Sequence, residues 1–150
     1  MPPVQIEYRS RLSAPPAEVW QWITSFRGIA TEMRPLLRMS APRGRQGLTD
    51  FAVVPGQPLF RSWILLFGVL PVDWSELTLL EIDPGRGFVE ASPMGSMRSW
   101  RHERRIEPAA DGCAIIDRLS FEPRFAAWLL TWFVRRFFSY RHAVLRKHLG

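Results

Sequence analysis

Apolar and polar residues alternate at the start of the chain. The apolar positions are Val4, Ile6, Tyr8 and Leu12, and the polar positions between them are Gln5, Glu7, Arg9 and Arg11. A period of two is typical of a strand that buries one face. The pattern therefore predicts a half-buried strand over Val4–Leu12.

The next segment, SAPPAEVWQWITSF, changes to helical spacing. Two prolines stand where a helix begins, and Glu18 falls in its first turn. The apolar residues Val19, Ile23 and Phe26 then recur three to four residues apart. We expect Gly28 to break this helix, and we predict a second short helix over residues 29–37 with Pro35 near one end.

Strand-like segments fill most of the remaining chain. Residues 40–58 are rich in Gly, Pro and Arg and predict a loop around a short strand at 48–54. Further strands are predicted over 59–68, 72–82, 87–92, 98–107 and 113–121, separated by turn signals such as DPGRG and SPMGS. Pro123 then opens the long helix predicted to end at Gly150.

This order of elements predicts an α+β fold in one domain spanning residues 1–150. A curved antiparallel sheet has one face to bury, and the C-terminal helix is the element large enough to cover it. We therefore expect the sheet to wrap around that helix.

The face that should be apolar carries polar residues on the last two predicted strands. If Ile106 lies opposite Cys113, then His102 lies opposite Asp117. The same register sets Trp100 against Leu119 and Arg104 against Ile115. A shift by two residues would separate His102 from Asp117 but would leave the strand faces unchanged.

Three interpretations of His102, Arg104 and Asp117 are open. They could satisfy one another as a buried polar cluster. Asp117 could orient His102 while Arg104 donates to a ligand carbonyl or carboxylate. His102, held by the carboxylate, could instead transfer protons in a cyclisation or dehydration.

The long helix has two contrasting sides. One side is predicted to face the sheet, and its residues are Ala126, Leu130, Phe133, Phe137, Tyr140 and Val144. The opposite side places Trp128 and Trp132 beside Arg135, Arg136, Ser139 and Arg146. The two tryptophans could touch a bilayer, but we favour burial under the early short helices or a dimer partner.

The net charge of +6 could suggest nucleic-acid binding, but the distribution of the basic residues argues against it, and we expect no nucleic-acid partner. All of the 20 basic residues except Lys147 are arginines, and these are scattered among carboxylates. No apolar run approaches the roughly 18 to 20 residues of a membrane helix, and we expect no secretory signal. The single cysteine, Cys113, fits a reducing compartment, so we expect a cytoplasmic protein.

Several kinds of chemistry have no motif in this sequence. The histidines are His102, His142 and His148, and with one cysteine they form no metal-ligand spacing. We expect His142 and His148 at the helix surface, and we expect neither a metal nor a cofactor. A nucleophile-elbow motif, a P-loop and a dinucleotide fingerprint are also lacking, which argues against hydrolase, kinase and dehydrogenase activity.

The chain resembles the START-like (SRPBCC) superfamily in the segments IEYRSRLSAPPAEVWQWITSF, LPVDW, WRH, CAIIDRLSFEP and FFSYRH. The resemblance covers roughly residues 4–149 and is similar to bacterial members of the polyketide cyclase/dehydrase and lipid transport type. It implies a helix-grip fold with an apolar cavity between the sheet and the last helix, for a lipid, sterol, polyketide or quinone-like ligand. Arg104 departs from the family, whose members more often have an apolar residue at that inward position.

We therefore predict a protein that binds a hydrophobic small molecule in that cavity and acts as its carrier. The predicted lining residues are Trp100, His102, Arg104, Asp117, Leu119, Phe121, Phe133, Phe137 and Tyr140. One alternative is an aromatase/cyclase in which His102 or Asp117 moves protons and Arg104 stabilises an enolate. Another is an interaction protein that docks a protein or membrane through Trp128 and Trp132. The ligand and the oligomeric state stay open.

Overall fold

The structure, a computed structural model, describes residues 2–150. Its strands are β1 (Val4–Leu12), β2 (Leu37–Met39), β3 (Pro58–Leu66), β4 (Leu70–Asp83), β5 (Gly87–Ala91), β6 (Met97–Ala109) and β7 (Gly112–Pro123). Its α-helices are α1 (Pro16–Thr24), α2 (Phe26–Met33) and α3 (Ala127–Leu149), and a 3₁₀ turn covers Leu48–Asp50. The first strand has the predicted bounds.

The strands form a curled antiparallel sheet in the order β1-β7-β6-β5-β4-β3-β2. Helix α3 packs against β1 and β7, while α2 contacts both α1 and α3. This arrangement confirms the predicted α+β helix-grip architecture. Helices α2 and α3 lie on the same side of the sheet, and we call the face that they cover the inner face.

Two apolar clusters hold α3 to the sheet. One joins the C-terminal end of α3 to α1, β1 and β7 and includes Leu12, Val19, Ile115, Leu145 and Leu149. The other joins the middle of α3 to β6 and β7 and includes Met97, Leu119, Phe121, Val134, Phe137 and Phe138. Each fully buried side chain of this size contributes roughly 1.5–3 kcal/mol, so these clusters fix the position of α3.

The break between the first two helices lies at Ser25 and not at Gly28. Ser25 has an extended backbone, and its hydroxyl accepts a hydrogen bond from the Gly28 amide at 3.0 Å, which caps α2. Gly28 lies inside α2, where a Cβ atom would approach the Trp22 carbonyl oxygen to 2.2 Å. The glycine is thus needed for the close approach of the two helices.

Two other predicted elements differ in type. Residues 48–54 contain a 3₁₀ turn instead of a strand, because the Asp50 carboxylate accepts hydrogen bonds from the Gln46 and Gly47 amides. Helix α2 ends at Met33, before Pro35, and Leu37–Met39 is the edge strand β2. The predicted helix over 29–37 is therefore wrong in its second half.

The register of β6 and β7 differs from the predicted one by two residues. Ile106 lies opposite Ile115, Arg104 opposite Asp117, and His102 opposite Leu119. The hairpin is tighter than expected because Ala109 already pairs with Gly112. The predicted faces are nevertheless correct, since side chains repeat every two residues.

The buried side of α3 is rotated by roughly one position from the predicted stripe. Its buried residues are Val134, Phe137, Phe138, Arg141, His142, Leu145 and Leu149. Of the predicted stripe, only Phe137 is buried, and Ala126 is exposed and precedes the helix. The difference arises because Arg141 and His142 lie on the buried side, which an apolar pattern cannot show.

The outer side of α3 leaves both tryptophans uncovered. Trp128 is 79% exposed and Trp132 is 54% exposed. The interpretation that the early short helices cover them is therefore wrong. Among residues 2–150, no helix is both long and apolar enough to cross a membrane.

Candidate ligand cavity

Arg104 and Asp117 form the centre of a buried ionic network. They lie directly opposite each other on β6 and β7, and neither side chain reaches solvent. Arg104 Nε donates to Asp117 Oδ1 at 2.8 Å, and Arg104 Nη2 donates to Oδ2 at 2.9 Å. Such a bidentate pair is both strong and directional.

Glu32 is the second carboxylate in this network. Helix α2 buries one side, which includes Gly28, Glu32 and Met33, and so directs Glu32 inward. Arg104 donates to Glu32 twice, at 2.7 and 3.0 Å. Arg141 Nε and Trp22 Nε1 donate to it at 3.1 and 3.0 Å. Glu32 therefore receives four hydrogen bonds.

Two histidines lie on either side of Asp117. His102 Nε2 is 2.6 Å from Oδ1, and His142 Nε2 is 2.7 Å from Oδ2. The other nitrogen of His142 is 2.8 Å from Ser10 Oγ. His102 thus contacts Asp117 diagonally, so the expectation that a two-residue shift would separate them is wrong.

Burial and ion pairing oppose each other in this network. Burial alone would raise the pKa of Glu32 and of Asp117, but their cationic and hydrogen-bonding partners together outweigh it, so both pKa values are lowered. Arg104 is the strongest of these partners for each carboxylate. Burial alone would lower the pKa of His102, but the Asp117 carboxylate holds it above the usual value. The carboxylates are therefore ionised and paired with donors inside the protein.

A cavity of about 520 Å³ lies between the inner face of the sheet, α2 and α3. Its walls are mainly apolar and include Ile29, Met33, Leu77, Met94, Leu130 and Phe133. It is closed where fully buried residues such as Leu79 and Ile23 line it. It opens where Val72, Phe125 and Leu129 line it, because these side chains are exposed.

The closed end of the cavity carries a small polar group of residues, which we call the floor. It consists of Glu90, His102 and Arg141. Glu90 and His102 are cross-strand partners on β5 and β6, and Glu90 pairs on its other side with Leu79. His102 Nδ1 is 3.7 Å from Glu90 Oε1, beyond hydrogen-bond length.

The open end is surrounded by exposed apolar side chains, which we call the rim. They belong to the turn between β3 and β4, to the first residues of β4, and to the segment from Phe125 into the start of α3. Of these side chains, Val72, Phe125 and Leu129 also line the cavity wall. The rim residues are Phe67, Val69, Leu70, Val72, Phe125, Trp128, Leu129 and Trp132. An exposed apolar patch of this kind indicates a contact surface.

The predicted lining residues divide into two groups. Trp100, His102, Phe133 and Phe137 lie in the cavity wall. Those outside the wall are Arg104, Asp117, Leu119, Phe121 and Tyr140. Leu119 and Phe121 are packed under α3, and the Tyr140 hydroxyl donates to the Arg34 carbonyl. Arg104 and Asp117 lie behind the wall, where they bond to each other.

Sequence reasoning missed Glu32, Glu90, Arg141 and His142. His142 is buried and not at the helix surface as predicted, because it bonds Asp117 and Ser10. The signal lay in the spacing of Val134, Phe138 and Leu145, which leaves Arg141 on the same side of the helix. Glu32 stands one position before the buried Met33, and that spacing alone does not distinguish a buried carboxylate from an exposed one.

The network does not form a metal site. Among residues 2–150, no group of three or more His, Cys, Asp or Glu side chains is arranged to hold a metal ion. In the network itself, one ring nitrogen of His102 and one of His142 are directed at Asp117. Asp117 accepts from both histidines and twice from Arg104, so the roughly four lone pairs of the carboxylate are all used and none is left for a cation.

Solved structures share this fold at low sequence identity. The aromatase/cyclase Zhui from Streptomyces sp. R1128 has a TM-score of 0.69 at 12% identity, covering 97% of this chain and 93% of its own. A START superfamily protein from Mycobacterium smegmatis has a TM-score of 0.67 at 5% identity, and the match covers 97% of this chain and 96% of that protein's chain. Ara h 8.0201 has a TM-score of 0.66 at 12% identity, covering 97% of each chain.

At the level of sequence, no curated protein matches the chain. Residues 10–149 match the family described as a domain of unknown function, DUF8410. That match includes β7, α3 and all three floor residues. The chain therefore belongs to this family, and its fold is that of the START-like (SRPBCC) superfamily.

Proposed function

We propose that the protein binds a hydrophobic small molecule of the lipid, polyketide or quinone-like class in this cavity and acts as its carrier. The observation that supports this most is the cavity of about 520 Å³ with a mainly apolar wall. Ligand pockets are typically about 300–1,000 Å³ and apolar with a few polar groups. Apolar burial would supply most of the affinity, and the floor would set the orientation.

Filling the cavity tests this proposal. Ala30 lies in the wall on α2, and Ala30→Phe places a phenyl ring in the cavity. We expect the variant to bind the neutral dye N-phenylnaphthylamine at least about tenfold more weakly than wild type, measured by fluorescence titration. Native mass spectrometry of the purified protein would identify any molecule that it retains.

A matched control separates loss of the cavity from loss of the fold. Ala17 is exposed on α1, so Ala17→Phe adds the same ring outside the cavity. Both variants should keep the wild-type circular dichroism spectrum, and only Ala30→Phe should lose dye binding. Equal dye affinity in all three proteins would contradict a binding cavity.

The exposed rim supports loading of the carrier at a bilayer surface. Trp128, Trp132 and Phe67 are exposed apolar side chains at the open end, and Arg135 and Arg136 lie beside the tryptophans on α3. Tryptophan with arginine favours the interface of an anionic membrane. In a flotation assay with phosphatidylglycerol vesicles, wild type should be found in the floating vesicle fraction. The double variant Trp128→Ser, Trp132→Ser should stay in the bottom fraction. Wild type that stays at the bottom would favour a protein partner.

An aromatase/cyclase is a second candidate. His102 supports it, because the imidazole lies in the cavity wall, is held by Asp117 and has a raised pKa. The test is turnover of a poly-keto thioester, followed by mass spectrometry of the product. An unchanged turnover rate in the His102→Gln variant would show that this histidine takes no part in the reaction.

A further inference from the structure

Arg141 is the floor residue whose two terminal amino groups have no acceptor in the part of the chain that the structure describes. Its side chain is buried, with the residue only 5% exposed. Nε donates to Glu32 at 3.1 Å. Among residues 2–150, no atom accepts a hydrogen bond from either terminal amino group of Arg141. Since Arg141 lines the cavity, these amino groups are available to a ligand.

The surroundings fix the orientation of this guanidinium. Its central carbon lies 4.9 Å from the ring centre of Phe138 and 5.8 Å from that of Phe137. Contact with aromatic rings on one side and with Glu32 through Nε leaves the edge formed by the two terminal amino groups open. That edge is planar and presents two parallel donors, which match the two oxygens of a carboxylate.

The charge of Arg141 is incompletely balanced by the protein. Burial lowers its pKa, and the neighbouring Arg104 lowers it further, which outweighs the attraction of Glu32. Glu32 already receives four hydrogen bonds, two of them from Arg104. Glu90, the carboxylate of the floor, accepts from the Ser92 hydroxyl at 2.7 Å and lies 3.7 Å from His102 Nδ1. An anion would therefore find Arg141 only partly neutralised.

The shape of the cavity places this group opposite the opening. Leu130 lies near the rim and Arg141 at the floor, and both line the cavity on α3. Eleven residues of helix at about 1.5 Å each separate them by roughly 16 Å. Phe133 and Phe137 line the wall between the two ends. An elongated ligand with an apolar body would thus enter with its polar end first.

We propose that the cavity selects amphipathic ligands with a carboxylate head, which pairs through its two oxygens with the terminal amino groups of Arg141 while the apolar body fills the space toward the rim. This inference rests on the proposed binding function. It assigns the head-group contact to Arg141 and not to Arg104, whose donors are occupied by Asp117 and Glu32.

A matched series of ligands tests the head group. Dodecanoate, methyl dodecanoate and dodecanol share one apolar chain and differ in charge. We expect wild type to bind dodecanoate about tenfold or more tightly than either neutral ligand, measured by displacement of N-phenylnaphthylamine at pH 7.5, because a hydrogen bond to a charged group contributes roughly 1.5–3 kcal/mol. The Arg141→Gln variant should bind dodecanoate no more tightly than it binds dodecanol.

The control is Lys147→Gln, which removes an exposed cation from the same helix and should leave all three affinities unchanged. Equal binding of acid, ester and alcohol by wild type would overturn the head-group inference and leave the cavity proposal standing. Failure of all three ligands and of the dye would overturn both. If Arg141→Gln does not fold, Arg141→Lys is used in its place. This variant should bind dodecanoate more tightly than the neutral ligands, but by a smaller factor than wild type, because lysine cannot form the paired contact with both carboxylate oxygens.

Discussion

Arg104 and Arg141 are both buried and both bond Glu32, yet the protein uses them differently. Arg104 directs Nε, Nη1 and Nη2 at two carboxylates, in four hydrogen bonds of 2.7–3.0 Å. Arg141 directs only Nε at a protein acceptor. The pKa of Arg104 is raised because the carboxylates outweigh burial, whereas burial lowers the pKa of Arg141.

The difference shows that burial of a charged side chain does not by itself mark a functional site. When every donor of a buried charged side chain has an acceptor in the protein, these partners account for its burial and hold it in place. When such a side chain lines a cavity and some of its donors have no acceptor in the protein, those donors can bind a ligand. The region behind the wall is therefore a structural network, and the floor is the candidate site.

Removing Arg104 should have the largest effect on stability. Arg104→Met leaves Asp117 and Glu32 buried with four fewer hydrogen bonds between them. Breaking a buried ion pair by removing one partner costs about 3–5 kcal/mol. We expect the free energy of unfolding, measured by urea denaturation, to fall by this amount.

The neighbouring Arg105 provides the control for this change. It lies on the other face of β6, where it pairs with Glu81 and Glu103 at the surface. Because such pairs contribute roughly 0–1 kcal/mol, Arg105→Met should be nearly neutral. Equal losses in the two variants would mean that the Arg104 network contributes no more than a surface pair.

Removing Arg141 should cost less stability than removing Arg104. Arg141→Gln deletes one of four hydrogen bonds to Glu32 and leaves Arg104 and Trp22 in place. One such bond to a charged group contributes roughly 1.5–3 kcal/mol net, and removal of the desolvation penalty of Arg141 offsets part of it. Urea denaturation should therefore show a drop of about 1 kcal/mol. A loss as large as that of Arg104→Met would erase the distinction between the two arginines.

The sequence predicted the fold well because the fold depends on periodic patterns. Alternation from Val4 to Leu12 gave the bounds of β1, and the strand faces placed Arg104 and Asp117 inward even with the register wrong by two. The register itself depends on which two residues form the turn. A pattern of period two stays the same when the register shifts by two residues, so it cannot identify the correct one.

The candidate site was only partly predictable for a different reason. His102 was identified because it lies on the strand face that should be apolar, between Trp100 and Ile106. Glu32 and Arg141 come from helices, where a polar residue beside an apolar stripe is usually exposed. The burial of Glu32 depends on long-range hydrogen bonds from Arg104 on β6 and Arg141 on α3, which no local pattern reports.

A further effect depends on pH and concerns His102, which belongs to both regions because it bonds Asp117 and lines the cavity. The charged groups that face it are Asp117, Glu90 and Arg104, and the net result is a raised pKa. Protonation of His102 therefore stabilises the folded state below about pH 6.5, the ordinary value, and that stabilisation is lost as the pH rises through the raised value. We expect the free energy of unfolding to fall in this window by at most about 1.4 kcal/mol per pH unit.

His102→Gln should flatten this fall, and urea denaturation at a series of pH values measures it. His148→Gln, at the exposed end of α3, should keep the wild-type slope. Equal slopes in wild type and His102→Gln would mean that folding leaves the pKa of His102 unchanged. That outcome would contradict stabilisation of the protonated imidazole by Asp117, and with it the view that His102 carries part of the positive charge at the floor.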